Sequence, residues 1–126
     1  MNAMNTARGD AAWYFEPLAD RHFVPTVHVG GGWNPAEQHI APAFGLLTHL
    51  IEQHRDTRRG KDLAIGRLSF DIHGVLPMEP FAVELEVVRP GRTIELVEAR
   101  IVHGMRTAVV LRAWLLAERD CSGIAG

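Results

Sequence analysis

The residues best suited to chemistry are Gln38-His39-Ile40-Ala41, just ahead of Pro42 and a long apolar run. A helix starting there leaves the backbone N–H groups of Ile40, Ala41 and Ala43 unpaired at its positive end. Such donors, with the Gln38 amide beside them, suit the oxygen of an acyl carbonyl as it gains negative charge under attack. His39 can orient a water or the acyl group. Plainer readings stand beside these: every helix start has free N–H groups, and a histidine in a proline-flanked turn often bonds only local backbone. Glu52 is a carboxylate within the same apolar segment, but near its polar end, where a solvated side chain is the better reading. Asp71 alternates with Arg67, Ser69 and His73, which suits an ordinary outer strand face as well as a site. His49 faces either a cleft or the core.

Arg89, Arg92, Arg100, Arg106 and Arg112 are spaced so that strands can gather them into a patch for phosphate groups. Cross-strand pairing with Glu84, Glu86, Glu95 and Glu98 is the alternative, and the expectation for most of them. Other chemistries drop out. A net charge of −2 over 126 residues provides no basic footprint for nucleic acid. The lone Cys121 cannot form an internal disulfide, and the scattered histidines lack metal-ligand spacing. Gly30-Gly31-Gly32 is not followed by Lys-Ser or Lys-Thr, and no Gly-x-Ser-x-Gly elbow occurs. No stretch reaches the ~20 apolar residues of a membrane span, and the N-terminus lacks a signal-peptide core, so a cytoplasmic protein without a membrane partner is expected.

Those residues have to be positioned by something. The length suits one domain, and 47% hydrophobic with 22% charged residues is globular usage. Residues 1–12 and 118–126 are small and polar and are expected to be disordered or flexible, leaving 13–117 as the ordered domain. Trp13 to Phe15 and Phe23 to Val29 read as short strands around a turn at Asp20-Arg21. Asn34-Pro35-Ala36-Glu37 offers a cap and a helical turn, which Pro42 interrupts, so the main helix is expected from near Pro42 to about His54. Ala43, Phe44, Gly45, Leu46, Leu47, Leu50 and Ile51 make it apolar nearly all round, and such a helix must be enclosed. Gln53 to Asp62 reads as helix end and exposed loop.

Alternating strands follow over Arg67 to His73 and Phe81 to Val87, with a hairpin turn at Pro90-Gly91. From Thr93 to His103 the apolar parity switches between Leu96 and Val97, which predicts a bulge. After a turn at His103-Gly104-Met105, Arg106 to Leu116 is apolar on both parities, so one face is expected against the helix and the other against a second copy or domain. The fold class is therefore α+β, a curled antiparallel sheet around one long central helix.

Specific runs carry a resemblance. Phe23-Val24-Pro25-Thr26, Gly31-Gly32-Trp33-Asn34-Pro35, Gln38-His39-Ile40-Ala41-Pro42, Gly45-Leu46-Leu47, Arg67-Leu68-Ser69-Phe70-Asp71-Ile72 and the stretch from Val88 to Ala99 resemble the thioesterase-like superfamily of acyl-CoA thioesterases. More narrowly, the chain is similar to the N-terminal unit of members that carry two hotdog units in one chain. The resemblance implies a hotdog fold over about Tyr14 to Leu116, and acyl-CoA as a thioester substrate to be hydrolysed or bound. It implies no cofactor, coenzyme A entering only as part of the substrate. It places Asn34, Ile40 and Ala41 at the acyl group and Arg89 and Arg92 as candidates for coenzyme A phosphates. Gln38, His39 and Thr48 become the candidate catalytic residues. Single-hotdog thioesterases carry an Asp or Glu on the helix where this sequence has Thr48, and double-hotdog relatives keep their water-positioning residues in the C-terminal unit. Both comparisons imply a homodimer or pairing with a second hotdog unit, and leave a non-catalytic acyl-binding module as the alternative function. A related hydratase group has an Asn-Pro-x-His turn that Asn34-Pro35 and His39 match only in part.

Overall fold

The computed structural model describes residues 14–30, 36–60 and 62–117. The expected disorder of the two termini, a strand start at Trp13 and the Asn34-Pro35 helix cap lie outside these residues. Six strands form one antiparallel sheet in the order β1-β2-β4-β5-β6-β3: β1 (Phe15–Ala19), β2 (His22–Pro25), β3 (Leu63–Ile72), β4 (Phe81–Arg89), β5 (Ile94–His103) and β6 (Arg106–Ala117). The helix α1 (Ile40–Arg59) packs on β3, β5 and β6. This is the α+β hotdog arrangement expected from the sequence.

The helix is longer than the sequence suggests at both ends. Pro42 does not interrupt it, because Pro42 occupies the third helical position, where a backbone N–H would have no intrahelical acceptor. At the other end α1 continues five residues beyond His54, so that residues 55–59 of the expected helix end and loop are helical. Tertiary partners sustain those turns: Arg55 donates to Leu63 O at 3.2 Å and Arg58 bonds Glu95. Arg58 and Arg59 also oppose the negative end of the helix dipole. Gly60, at φ 67°, then stops the helix, its N–H reaching Asp56 O.

Ala43, Leu46, Leu47, Leu50 and Ile51, spaced three and four apart, are the buried side of α1. They meet Val97, Ala99, Ile101, Val109, Leu111, Ala113 and Leu115 in a single core. Enclosure is incomplete, however. Ala41 and Gly45 are exposed, and Phe44 and Thr48 are half-buried, so one stripe of the helix stays open beside edge strand β3. Phe44 stacks on Phe70 of β3 at 3.9 Å between ring centroids. A Cβ added at Gly45 meets nothing within 4 Å, so Gly45→Ala should raise stability by about 0.5–1 kcal/mol through helix propensity. Chemical denaturation measures it; a loss would mean that the open stripe is filled.

The strands differ from expectation in three places. At the N-terminus, β1 runs on to Ala19, β2 ends at Pro25, and Val27–Val29 forms a 3-10 turn rather than strand. Second, β3 starts at Leu63, its ladder shifting register between Ile65 and Arg67 where Leu116 covers Gly66 so closely that a Cβ there would sit 2.5 Å from Leu116 Cδ1. Finally, β5 shows no change of parity: Glu95, Val97, Ala99 and Ile101 are all buried, and the irregularities lie at Val87/Arg89 and Ile101/Val102. The inward position of Glu95 explains the difference: a carboxylate stands in the buried row, while its apolar neighbours Ile94 and Leu96 lie in the less buried one. The hairpin turns at Pro90-Gly91 and Gly104, the latter at φ 63°, join antiparallel strands as expected.

Candidate functional site

The entry to α1 is held by backbone pairing on both sides. Gln38 N donates to Leu76 O at 2.8 Å, His39 N to Val29 O at 2.7 Å, and Met78 N to Ala36 O at 2.9 Å. Gln38 Nε2 donates to Pro77 O at 2.9 Å, while its Oε1 is buried without a hydrogen-bond partner among the described residues. One amide hydrogen of Gln38 is thus spent on anchoring the segment. His39 is the N-cap residue in extended conformation, with an exposed side chain that makes no capping bond, and the first turn holds no acidic residue. The N–H groups of Ile40 and Ala41 therefore face the positive end of the dipole without a side-chain acceptor from the cap. Pro42 contributes no N–H, and Ala43 is fully buried.

Thr48 lies two turns along, half-buried on the open stripe, and its hydroxyl donates to Phe44 O at 2.8 Å. Its proton is committed to the helix backbone, leaving the oxygen lone pairs for another donor. The helix carboxylates Glu52 and Asp56 are both exposed, Glu52 about 18 Å along the axis from Ile40 at 1.5 Å per residue. Asp71 is exposed on the outer sheet face opposite Val110. No carboxylate stands on the first three turns of the helix.

Arg89 and Arg92 are exposed at the far end of α1, where Arg59 donates to the carbonyls of Gly91 and Arg92. A helix length of roughly 30 Å separates them from Gln38 to Ala41 within one chain. Of the five arginines two pair with carboxylates, fewer than expected: Arg100 with Glu84 at 3.3 Å and with Glu98, and Arg112 with Glu98 at 2.9 Å. Burial alone would raise the Glu98 carboxyl, but hydrogen bonds from Arg112 and Arg100 hold it below the ordinary carboxylate value. Arg106 donates to Val75 O.

A cavity missed by the sequence reading opens on another flank of the helix, between α1 and the β1–β2 hairpin, with a volume of about 490 Å³. His49 lines it, and His49 Nε2 is buried without a partner among the described residues. The i, i+3, i+4 recurrence of Leu46, His49, Leu50, Gln53, His54 and Thr57 is the available signal, but the cavity itself depends on the β1–β2 hairpin lying over that helix face, which no local spacing shows.

With fold and entry geometry in place, the sequence match is decisive: residues 29–116 fit the model of the acyl-CoA thioesterase N-terminal domain. The chain belongs to that family. Solved structures share its fold. The PaaI protein from the phenylacetic acid degradation operon of E. coli aligns with a TM-score of 0.67 at 13% identity, covering 90% of this chain and 92% of that one. A hypothetical thioesterase of Streptococcus pneumoniae, solved with coenzyme A, aligns at 0.67 and 16% identity over 94% and 98% of the two chains. A phenylacetic acid degradation-related protein of Ralstonia eutropha aligns at 0.65 and 10% identity over 90% and 98%. At such identities the likeness is one of fold. No curated protein matches the chain.

Proposed function

We propose that this acyl-CoA thioesterase N-terminal domain binds acyl-CoA with the thioester carbonyl at the helix entry, and that the water-activating carboxylate comes from a second hotdog unit. The observation that carries the reading is the uncapped start of α1 beside an open helix stripe, with no carboxylate on the first three turns. The Ile40 and Ala41 N–H groups suit the developing oxyanion, and His39, exposed at the same turn, can hold the attacking water. A water oxygen bonds to the carbonyl carbon as its proton passes to the second unit's carboxylate; the C–S bond then breaks, that proton goes to the leaving sulfur, and the coenzyme A thiol and the free acid are released. The coenzyme A in the S. pneumoniae protein supports the ligand class. The open stripe at Ala41, Gly45 and Thr48, next to the unpaired edge of β3, supports pairing with a second copy or unit.

Calorimetric titration with a non-hydrolysable acyl-CoA thioether, alongside acyl-CoA hydrolysis followed with a thiol reagent, tests this. The isolated chain is expected to bind the analogue and to release no thiol above background. Thr48→Asp, which places a carboxylate two turns into the helix, should raise hydrolysis at least about tenfold, the low side of what a positioned acid or base contributes. Turnover by the unaltered chain would show that no different second unit is needed, and a failure to bind the analogue would remove the acyl-CoA reading altogether. Mass in solution separates a self-paired unit from one that awaits a different partner.

A further inference from the structure

The cavity beside the β1–β2 hairpin has a volume of about 490 Å³, within the usual range of small-molecule sites. Its body is apolar, formed by Phe15, Phe23, Leu46, Leu50 and Leu85. Its polar lining is His49 and Gln53 on the helix wall, with Arg21 and Arg58 beside Asp20, His54 and Thr57 on the more exposed side. Such a division, hydrocarbon within and charge at one end, matches an amphiphile rather than a sugar or nucleotide.

The charges at the rim have a definite balance. Arg58 is committed to Glu95, with guanidinium-to-carboxylate contacts of 2.6 and 3.2 Å, and Arg59 reinforces it from behind at 3.4 Å. Glu95 is thereby more than neutralised. Arg21 is different: its guanidinium has neither a hydrogen bond nor an ion pair with any described residue. Asp20 is its neighbour at the turn, but exposed and outside salt-bridge distance. Arg21 also adopts φ 55°, a left-handed conformation uncommon for a long side chain, and Val83 N holds its carbonyl at 2.8 Å. The turn is thus pinned to β4 with an unpartnered cation at the cavity rim. His54 reports the resulting field. Burial, then the charges of Arg58 and Arg21, lower its pKa against the opposing pull of Glu95. Its Nδ1 accepts from Arg58 Nε at 3.1 Å.

We propose that this cavity binds a carboxylate-bearing amphiphile, a fatty or arylalkanoic acid, with the chain against Phe23, Leu46 and Leu50 and the carboxylate on Arg21. The site is separate from the helix entry and stands whether or not acyl-CoA is handled there.

Calorimetric titration of the full chain with decanoate, below the concentration at which it forms micelles, is the direct test. Decyltrimethylammonium, with the same chain and the opposite charge, is the control. Decanoate is expected to bind, and the ammonium at least about tenfold more weakly. Arg21→Gln should weaken decanoate about tenfold, Arg21→Lys should recover part of the loss, and Ala19→Trp, which fills the cavity from its exposed wall, should abolish binding. Arg21→Gln keeps the backbone and a polar side chain, so its result stands even if the tryptophan variant fails to fold. Affinity for the acyl-CoA thioether should be unchanged in Arg21→Gln, which keeps this site distinguishable from the helix entry. No binding at millimolar decanoate, equal binding of both amphiphiles, or decanoate affinity indifferent to Arg21→Gln would overturn the proposal.

Discussion

Truncating Leu47 to alanine is expected to lower stability by about 3–5 kcal/mol, a large part of what a domain of this size possesses. Leu47 has no exposed surface and sits where the helix meets the sheet. Removing its branched end takes apolar area out of the core and leaves a void that the surrounding strands, tied into one continuous ladder, can close only in part. Urea denaturation should show the midpoint falling with little change in slope. Leu18 provides the contrast. It is 61% exposed on β1, and its truncation should move stability by no more than about 0.5 kcal/mol. A loss of under about 1 kcal/mol for Leu47→Ala would mean that helix and sheet are not packed as described.

Glu95→Ala should cost about 2–3 kcal/mol, for a different reason. Glu95 is 2% exposed and accepts from Arg58 twice and from Arg59 once, so its removal leaves two guanidinium groups facing each other without their shared anion. Breaking a fully buried pair costs about 3–5 kcal/mol, and the partial exposure of Arg58 reduces this. Glu95→Gln keeps one acceptor and should lose less. The hydrogen bond from Arg58 is the main cause holding the Glu95 carboxyl below its ordinary value of 4.5, against a burial that would raise it. A carboxyl depressed in the folded state stabilises most when ionised in both states. The gap between the natural protein and Glu95→Gln should accordingly be complete above pH 4.5 and shrink as pH falls through the lower folded value. A gap that stays constant into acid would show that the pair contributes nothing through charge. The same cluster stitches the last turn of α1 to the start of β5, so these variants should also loosen the rim of the hairpin cavity.

Much of the architecture was legible in one dimension because it follows from periodicity. The two-residue alternation of Leu68, Phe70 and Ile72 and of Phe81, Val83 and Leu85 specified half-buried strands. Pro90-Gly91 and Gly104 marked their reversals, and the apolar run from Ala43 to Ile51 required a helix with a sheet against it. The motif run from Phe23 to Ala99 was enough for the family. Element ends were less legible, since they are decided by partners distant in sequence. Arg55, Arg58 and Arg59 look like loop residues until Leu63, Glu95 and the Gly91 and Arg92 carbonyls are brought beside them. Glu95 was read as a surface carboxylate for the same reason.

The candidate site divides along the same line. Sequence alone determined the fold class, the position of the helix entry at Gln38 to Ala41, and the lack of an acid near Thr48, because each depends on residues adjacent in the chain or in one helix. Only the tertiary structure decided which groups meet. It engages Gln38 with Pro77, sets Arg89 and Arg92 at the opposite end of α1, leaves one helix stripe open, and folds the β1–β2 hairpin over the helix flank to enclose a cavity with Arg21 at its rim. Register, hairpin curl and long-range ion pairing set those distances, and none of the three is written in local spacing.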